Sequence, residues 1–96
     1  MRPSLALKQN RAAIRAIALR HRVRDVRVFG SVLRGDDREN SDLDLLVEPT
    51  EETTLMDIGA IRHELRQLLG FDVDVVTPLA LPDSFRDQVL AEAVSL

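Results

Sequence analysis

The stretch Val26-Arg27-Val28-Phe29-Gly30-Ser31-Val32-Leu33-Arg34-Gly35, with Ser41-Asp42-Leu43-Asp44-Leu45-Leu46-Val47 after a polar loop, decides the fold. Val26 and Val28 alternate with Arg27 and Phe29, a strand pattern that stops abruptly at Gly30-Ser31. Val32, Leu33 and Arg34 before Gly35 read as one short helical turn closed by a C-terminal glycine. The run Asp36 to Ser41 reads as a loop, with Asp36, Asp37 and Glu39 as solvated charges. Asp42 to Val47 reads as a second strand, which Glu48-Pro49 ends because proline cannot donate to a ladder. Side chains alternate along a strand, so Asp42 and Asp44 project from the same face.

Upstream, Leu7, Ile14, Ile17 and Ala18 recur at helical spacing from Ser4 to about Arg22, flanked by Lys8, Arg11, Arg15 and Arg22. Downstream, Thr53 or Thr54 is placed to cap a helix carrying Ile58, Ile61, Leu65 and Leu68 on its inner line, stopped at Gly70. A third strand follows over Phe71 to Thr77, with Phe71, Val73 and Val75 on one face and Asp72 and Asp74 on the other. From about Pro82 the tail reads as a last helix, with Phe85 and Val89 as its core contacts. His21 reads as a continuation of the first helix's apolar face and His63 as a surface residue away from the acids.

Helices alternating with strands predict an α/β (α+β) domain, a small mixed sheet of about three strands covered by helices. With 96 residues the chain supports one domain, residues 1–96, and one core. A domain this small buries only about 60 to 65% of its unfolded surface, so packing against a second chain would add stability. No cysteine is present, which excludes disulfides, thiolate metal sites and a cysteine nucleophile. No run approaches the roughly 20 apolar residues of a membrane span, and Met1-Arg2-Pro3 leads into no secretory core, so a cytoplasmic protein without a membrane partner is expected.

The net charge of -3 hides an asymmetry: residues 1–35 hold nine basic residues and one acid, whereas residues 36–96 hold four basic residues and fifteen acids. A basic helix offsetting an acidic body explains this as well as phosphate or partner attraction does. Extended single-stranded nucleic acid is disfavoured, because binding of that kind stacks bases on aromatic faces and only Phe29, Phe71 and Phe85 exist.

Two carboxylates on one strand face repel each other unless a cation lies between them, so Asp42-x-Asp44 reads either as a solvated edge or as a divalent-cation site. Gly30-Ser31, at a strand-to-helix turn, offers free backbone N–H groups and a hydroxyl to a phosphate. If the second and third strands are neighbours, Asp74 joins Asp42 and Asp44 in an oxygen-rich site suited to Mg²⁺. Asp72 shares that face and is the rival for the third position; Asp74 is preferred because it lies deeper in the strand.

Gly30-Ser31, ten residues, then Asp42-x-Asp44, with a third acid in Val73-Asp74-Val75-Val76, resembles the nucleotidyltransferase motif of the DNA polymerase beta superfamily. Within it, Phe29 to Gly35 and Ser41 to Val47 are most similar to the minimal nucleotidyltransferases called MNT antitoxins, a resemblance that runs from the first helix to Thr77-Pro78. It implies a polymerase-beta-like core and an AMPylation activity: AMP passes from ATP to a tyrosine hydroxyl of a HEPN-type RNase toxin in a hetero-oligomeric toxin-antitoxin pair. It further implies that Gly30 and Ser31 hold the triphosphate and that Asp42 and Asp44 bind two Mg²⁺ ions. Asp74 then completes the metal site and helps deprotonate the acceptor, with Arg34 either on phosphate or at the surface.

The chain contains no tyrosine, so a tyrosine acceptor must belong to another molecule. Two cations stabilise the attacking and leaving oxygens of an in-line displacement at phosphorus, which accounts for the need for the acids. The alternative is a non-catalytic antitoxin of the same fold that neutralises its toxin by covering it. An Asp-x-Asp sugar-nucleotide transferase is disfavoured, as are antibiotic-modifying and RNA-tailing enzymes, because 96 residues leave little room for their extra domains.

Overall fold

A computed structural model describes residues 1–96. Helix α1 spans Pro3–Leu19, and its proline sits in the first turn, where no backbone donor is needed. The helix ends before Arg22, short of the sequence-based limit, because Arg22 takes a left-handed φ of 63° that turns the chain into β1, Val23–Phe29. Helix α2, Gly30–Arg34, follows without a linker, and Gly35 closes it in the left-handed conformation. Strand β2 is Leu43–Pro49 and α3 is Leu55–Leu69. Of the two threonines, Thr54 caps α3, in a reciprocal box with Asp57. Strand β3, Val73–Val76, leads through a tight turn at Pro78–Ala80 into α4, Asp83–Glu92.

The sheet has four strands in the order β3-β2-β1-β4. The addition to the expected three is β4, Val94–Ser95, which leaves the last helix and pairs antiparallel with β1. Two residues are too few for an alternation to register in the sequence. Strands β1 and β2 pair antiparallel, and β2 and β3 pair in parallel across α3, so the sheet is mixed as expected.

One face carries Val26, Val28, Leu43, Leu45, Val47, Val73 and Val75, which pack under Ile14 and Ala18 of α1 and Ile61 and Leu65 of α3. Fully burying each such aliphatic side chain contributes about 1.5 to 3 kcal/mol. Leu68, read as part of that line, is 44% exposed; the end of α3 lies over edge strand β3, and Leu69 turns inward instead.

The other face is apolar only in part. Leu46 packs there with Leu81 and Val89, joined by Phe29 and Val76, and α4 lies on this patch. Because the acids interrupt the apolar surface, α4 docks through Val89 and Leu90, and Phe85 stays 43% exposed rather than entering the core.

Candidate active site

The strand register builds the site. Phe29 at the end of β1 is paired with Asp44 of β2, and Asp44 is paired with Asp74 of β3. Register partners in adjacent strands share a face, so Phe29, Asp44 and Asp74 form a row across three strands, on the side away from α1 and α3. Gly30 follows at φ 78°, and a Cβ added to it would overlap Oδ2 of Asp44 and lie 3.1 Å from its Cγ. A glycine is therefore needed twice over, for backbone conformation and for space.

Asp44 is the most perturbed acid. Burial comes first, then the charges of Asp74 and Asp42 and a hydrogen bond with Asp74; together they push its carboxyl up to about 6, and Arg34 pulls the other way. The structure thus brings Asp44 and Asp74 together and sets Asp42 near enough to act on Asp44 through its charge. No three His, Asp or Glu side chains gather into a ready-made metal-binding cluster. The donor set still fits Mg²⁺, because all three groups offer hard oxygens and the crowded negative charge around Asp44 is what a divalent cation offsets. Asp72, the rival for the third position, forms an ion pair with Arg66 of α3 at 2.9 Å.

The loop between α2 and β2 is anchored at both ends. Asp37, expected to be solvated, is 3% exposed: its carboxylate accepts from the Ser4 backbone N–H at 2.8 Å and from Arg2 at 3.2 Å. Burial alone would raise this carboxyl, but the bonds from Ser4 and the charge of Arg2 outweigh it and hold it below the usual range. Asp37 thereby satisfies an orphan donor of α1 that no side chain at the helix start reaches. Its partners lie more than thirty residues upstream, so no local pattern reveals it. Further along, the Arg38 N–H donates to Ser41 Oγ at 2.8 Å and Leu43 donates to the Asp72 carbonyl at 3.2 Å, which fixes the approach to Asp42.

Ser31 is half-buried in the first turn of α2, and Arg34 is exposed beside Asp36 at 3.5 Å. A polar cleft of about 710 Å³ opens next to Asp42, between the loop, the end of α3 and the start of β3. His63 lines it with Arg66, Gln67 and Phe71, which corrects the placement of His63 away from the acids. Its spacing of three and four from Arg66 and Gln67 was the available signal, since it puts all three on one side of α3. His21 lies beyond α1, not on its apolar face, and its ring meets Glu64 at 2.6 Å.

The model of the nucleotidyltransferase domain family matches residues 11–96. Protein adenylyltransferase MntA of Thermococcus cleftensis is 39% identical, over 75% of this chain and 73% of its own. MJ0435 of Methanocaldococcus jannaschii, provisionally named a protein adenylyltransferase, is also 39% identical, over 83% of this chain and 86% of its own. A solved structure provisionally described as a minimal nucleotidyltransferase is 45% identical, with a TM-score of 0.86 over 97% of this chain and 95% of that one. In fold alone, the chain is also similar to a toxin-antitoxin crystal structure with AMP-PNP, at a TM-score of 0.67 and 20% identity over 97% and 71%. The chain belongs to the nucleotidyltransferase family, in its minimal, polymerase-beta-like branch, and is a nucleotidyltransferase. No helix is long and apolar enough to cross a membrane.

Proposed function

We propose that this protein is the antitoxin of a toxin-antitoxin pair and transfers AMP from ATP to a tyrosine hydroxyl of its partner, a HEPN-type RNase toxin. The observation that carries this reading is Asp44, held between Gly30 and Asp74 on one sheet face and crowded by negative charge.

The N–H groups and hydroxyl at Gly30-Ser31 bind phosphate oxygens, and Arg34 adds a positive charge at the same end. Asp42, Asp44 and Asp74 are the groups that would hold two Mg²⁺ ions. When bound, such ions stabilise charge on the attacking and leaving oxygens. In the transfer, a bond forms between the tyrosine oxygen and the α-phosphorus, the bond from that phosphorus to the β-phosphate bridge breaks, and pyrophosphate leaves. Asp74 takes the phenol proton.

An in-line displacement brings the nucleophile in opposite the leaving group. With phosphates at Gly30, on the β1 side of Asp44, the acceptor comes from the β3 side, where the cleft lined by His63, Arg66 and Phe71 opens. Support for a protein acceptor comes from the names of the relatives, and the absence of tyrosine in this chain leaves a tyrosine acceptor to another molecule.

The test is intact-mass spectrometry of the product of the adjacent gene after incubation with this protein, ATP and Mg²⁺. A gain of AMP-sized mass on a tyrosine of that product is expected, and none with an Asp42→Asn, Asp44→Asn double variant. A double variant that still protects cells from the toxin would instead favour neutralisation by complex formation.

A further inference from the structure

We propose that the pocket between the end of β1, α2 and α4 is the subsite for the adenine base of the nucleotide, with Phe85 as its stacking face and Gln88 as its reader. The inference rests on the reading that the phosphates lie at Gly30-Ser31, and it gives the C-terminal helix a part in catalysis that nothing in its own sequence discloses.

The pocket has a volume of about 240 Å³ and is lined by Phe29, Gly30, Arg34, Phe85, Gln88 and Val89, with Glu92 at its rim. Its position follows from the register. Phe29 and Asp44 are partners across β1 and β2, so the Phe29 side chain on the floor of the pocket springs from a Cβ about 5 Å from that of Asp44, on the same face. Gly30 belongs both to the pocket wall and to the space beside Asp44. A nucleotide with its phosphates on this bend therefore has a half-open recess for its base directly alongside. Pockets for whole small molecules run from about 300 to 1,000 Å³, so this one suits a single flat ring system, with ribose and phosphates outside.

The lining has the chemistry of a base site. The chain has three phenylalanines and no tyrosine or tryptophan, and two of the three phenylalanines are here. Phe85 is 43% exposed although the helix that carries it is docked on the sheet, which leaves a ring face open to stacking. Gln88 Nε2 donates to Glu92 Oε1 at 3.2 Å. That bond engages one N–H of the amide and leaves its oxygen and second N–H free. An acceptor beside a donor matches the N6 amine and N7 of adenine, whereas guanine presents acceptors at both places, O6 and N7.

Binding measurements separate the base from the phosphates. Titrations of the full chain with ATP, GTP and inorganic tripolyphosphate, all with Mg²⁺, would be compared for the parent, Phe85→Ala and Gln88→Ala. Stacking on an aromatic side chain predicts a loss of about tenfold or more in ATP affinity for Phe85→Ala. Its affinity for tripolyphosphate should not change, and this also shows that the variant is folded. Gln88→Ala should lose the preference for ATP over GTP. If both variants bind ATP as the parent does, the base lies elsewhere and the inference fails while the phosphate site stands. A parent protein that binds neither ATP nor tripolyphosphate removes the nucleotide reading itself, and the subsite with it.

Discussion

Gly30 lies against Oδ2 of Asp44 so closely that a hydrogen is the only substituent its Cα can carry toward the carboxylate. The turn that presents backbone donors to a phosphate and the acid that would hold the cation are therefore one packed unit. Gly30→Ala must both strain a left-handed residue, at about 1 to 2 kcal/mol, and displace Asp44. We expect its thermal midpoint to fall by about 4 to 15 °C, from the usual 4 to 8 °C per kcal/mol in a domain this size. Nucleotide transfer, followed by partner mass, should fall below detection at temperatures where the variant is still folded.

Asp44 and Asp74 should show the opposite relation between stability and activity. Neutralising the half-buried carboxylate of Asp44, beside the exposed one of Asp74, relieves repulsion, so Asp44→Asn at pH 7 with EDTA should be about 1 kcal/mol more stable than the parent. The same variant should transfer no AMP. Parallel calorimetry and mass spectrometry on one preparation check both halves.

Asp37 predicts an acid-sensitive contribution to folding. Its carboxyl lies below the ordinary value of 3.8 in the folded chain, so the stabilisation is fully present above about pH 4. It is lost as pH falls through the lower, folded value. Asp37→Asn should cost about 1 to 3 kcal/mol at pH 7 through the weakened bonds to Ser4 and Arg2. The gap between parent and variant should close below pH 4, which urea unfolding at several pH values would measure.

The choice between the two acids of β3 is also testable. Asp72 is paired with Arg66 on the wall of the cleft, whereas Asp74 is the register partner of Asp44. Asp74→Asn should abolish transfer at any acceptor concentration. Asp72→Asn should keep the maximal rate within about tenfold and raise the acceptor concentration needed to reach it. Equal losses in both variants would undo that division of labour.

Strand and helix positions were readable because each buried face is a local pattern. Val26 and Val28 alternate with Arg27 and Phe29, and Ile61 and Leu65 fall one turn apart. The row Asp44-Asp74 needed only the inference that two strands flanking one helix lie side by side in parallel. What escaped depends on distant partners. Asp37 looks like its solvated neighbours until α1 arrives to be capped, and His63 is a surface histidine until the loop before Asp42 folds beside it. Phe85 reads as core by its spacing to Val89, yet the face on which α4 docks is interrupted by acids, and the helix reaches apolar ground through Val89 and Leu90 instead. The two residues of β4 are held by pairing with Arg27 and Val28, contacts that no run of two residues announces.

The central claim is that Asp42, Asp44 and Asp74 take divalent cations beside the Gly30-Ser31 bend. Crystals grown with Mn²⁺ and a non-hydrolysable ATP analogue, measured at the manganese absorption edge, test it most directly. Anomalous peaks at coordination distance, about 2 Å, from carboxylate oxygens of all three aspartates, with phosphate oxygens reaching Gly30 and Ser31, are the predicted result. Peaks confined to other acids, or a nucleotide whose phosphates avoid the Gly30 turn, would contradict it.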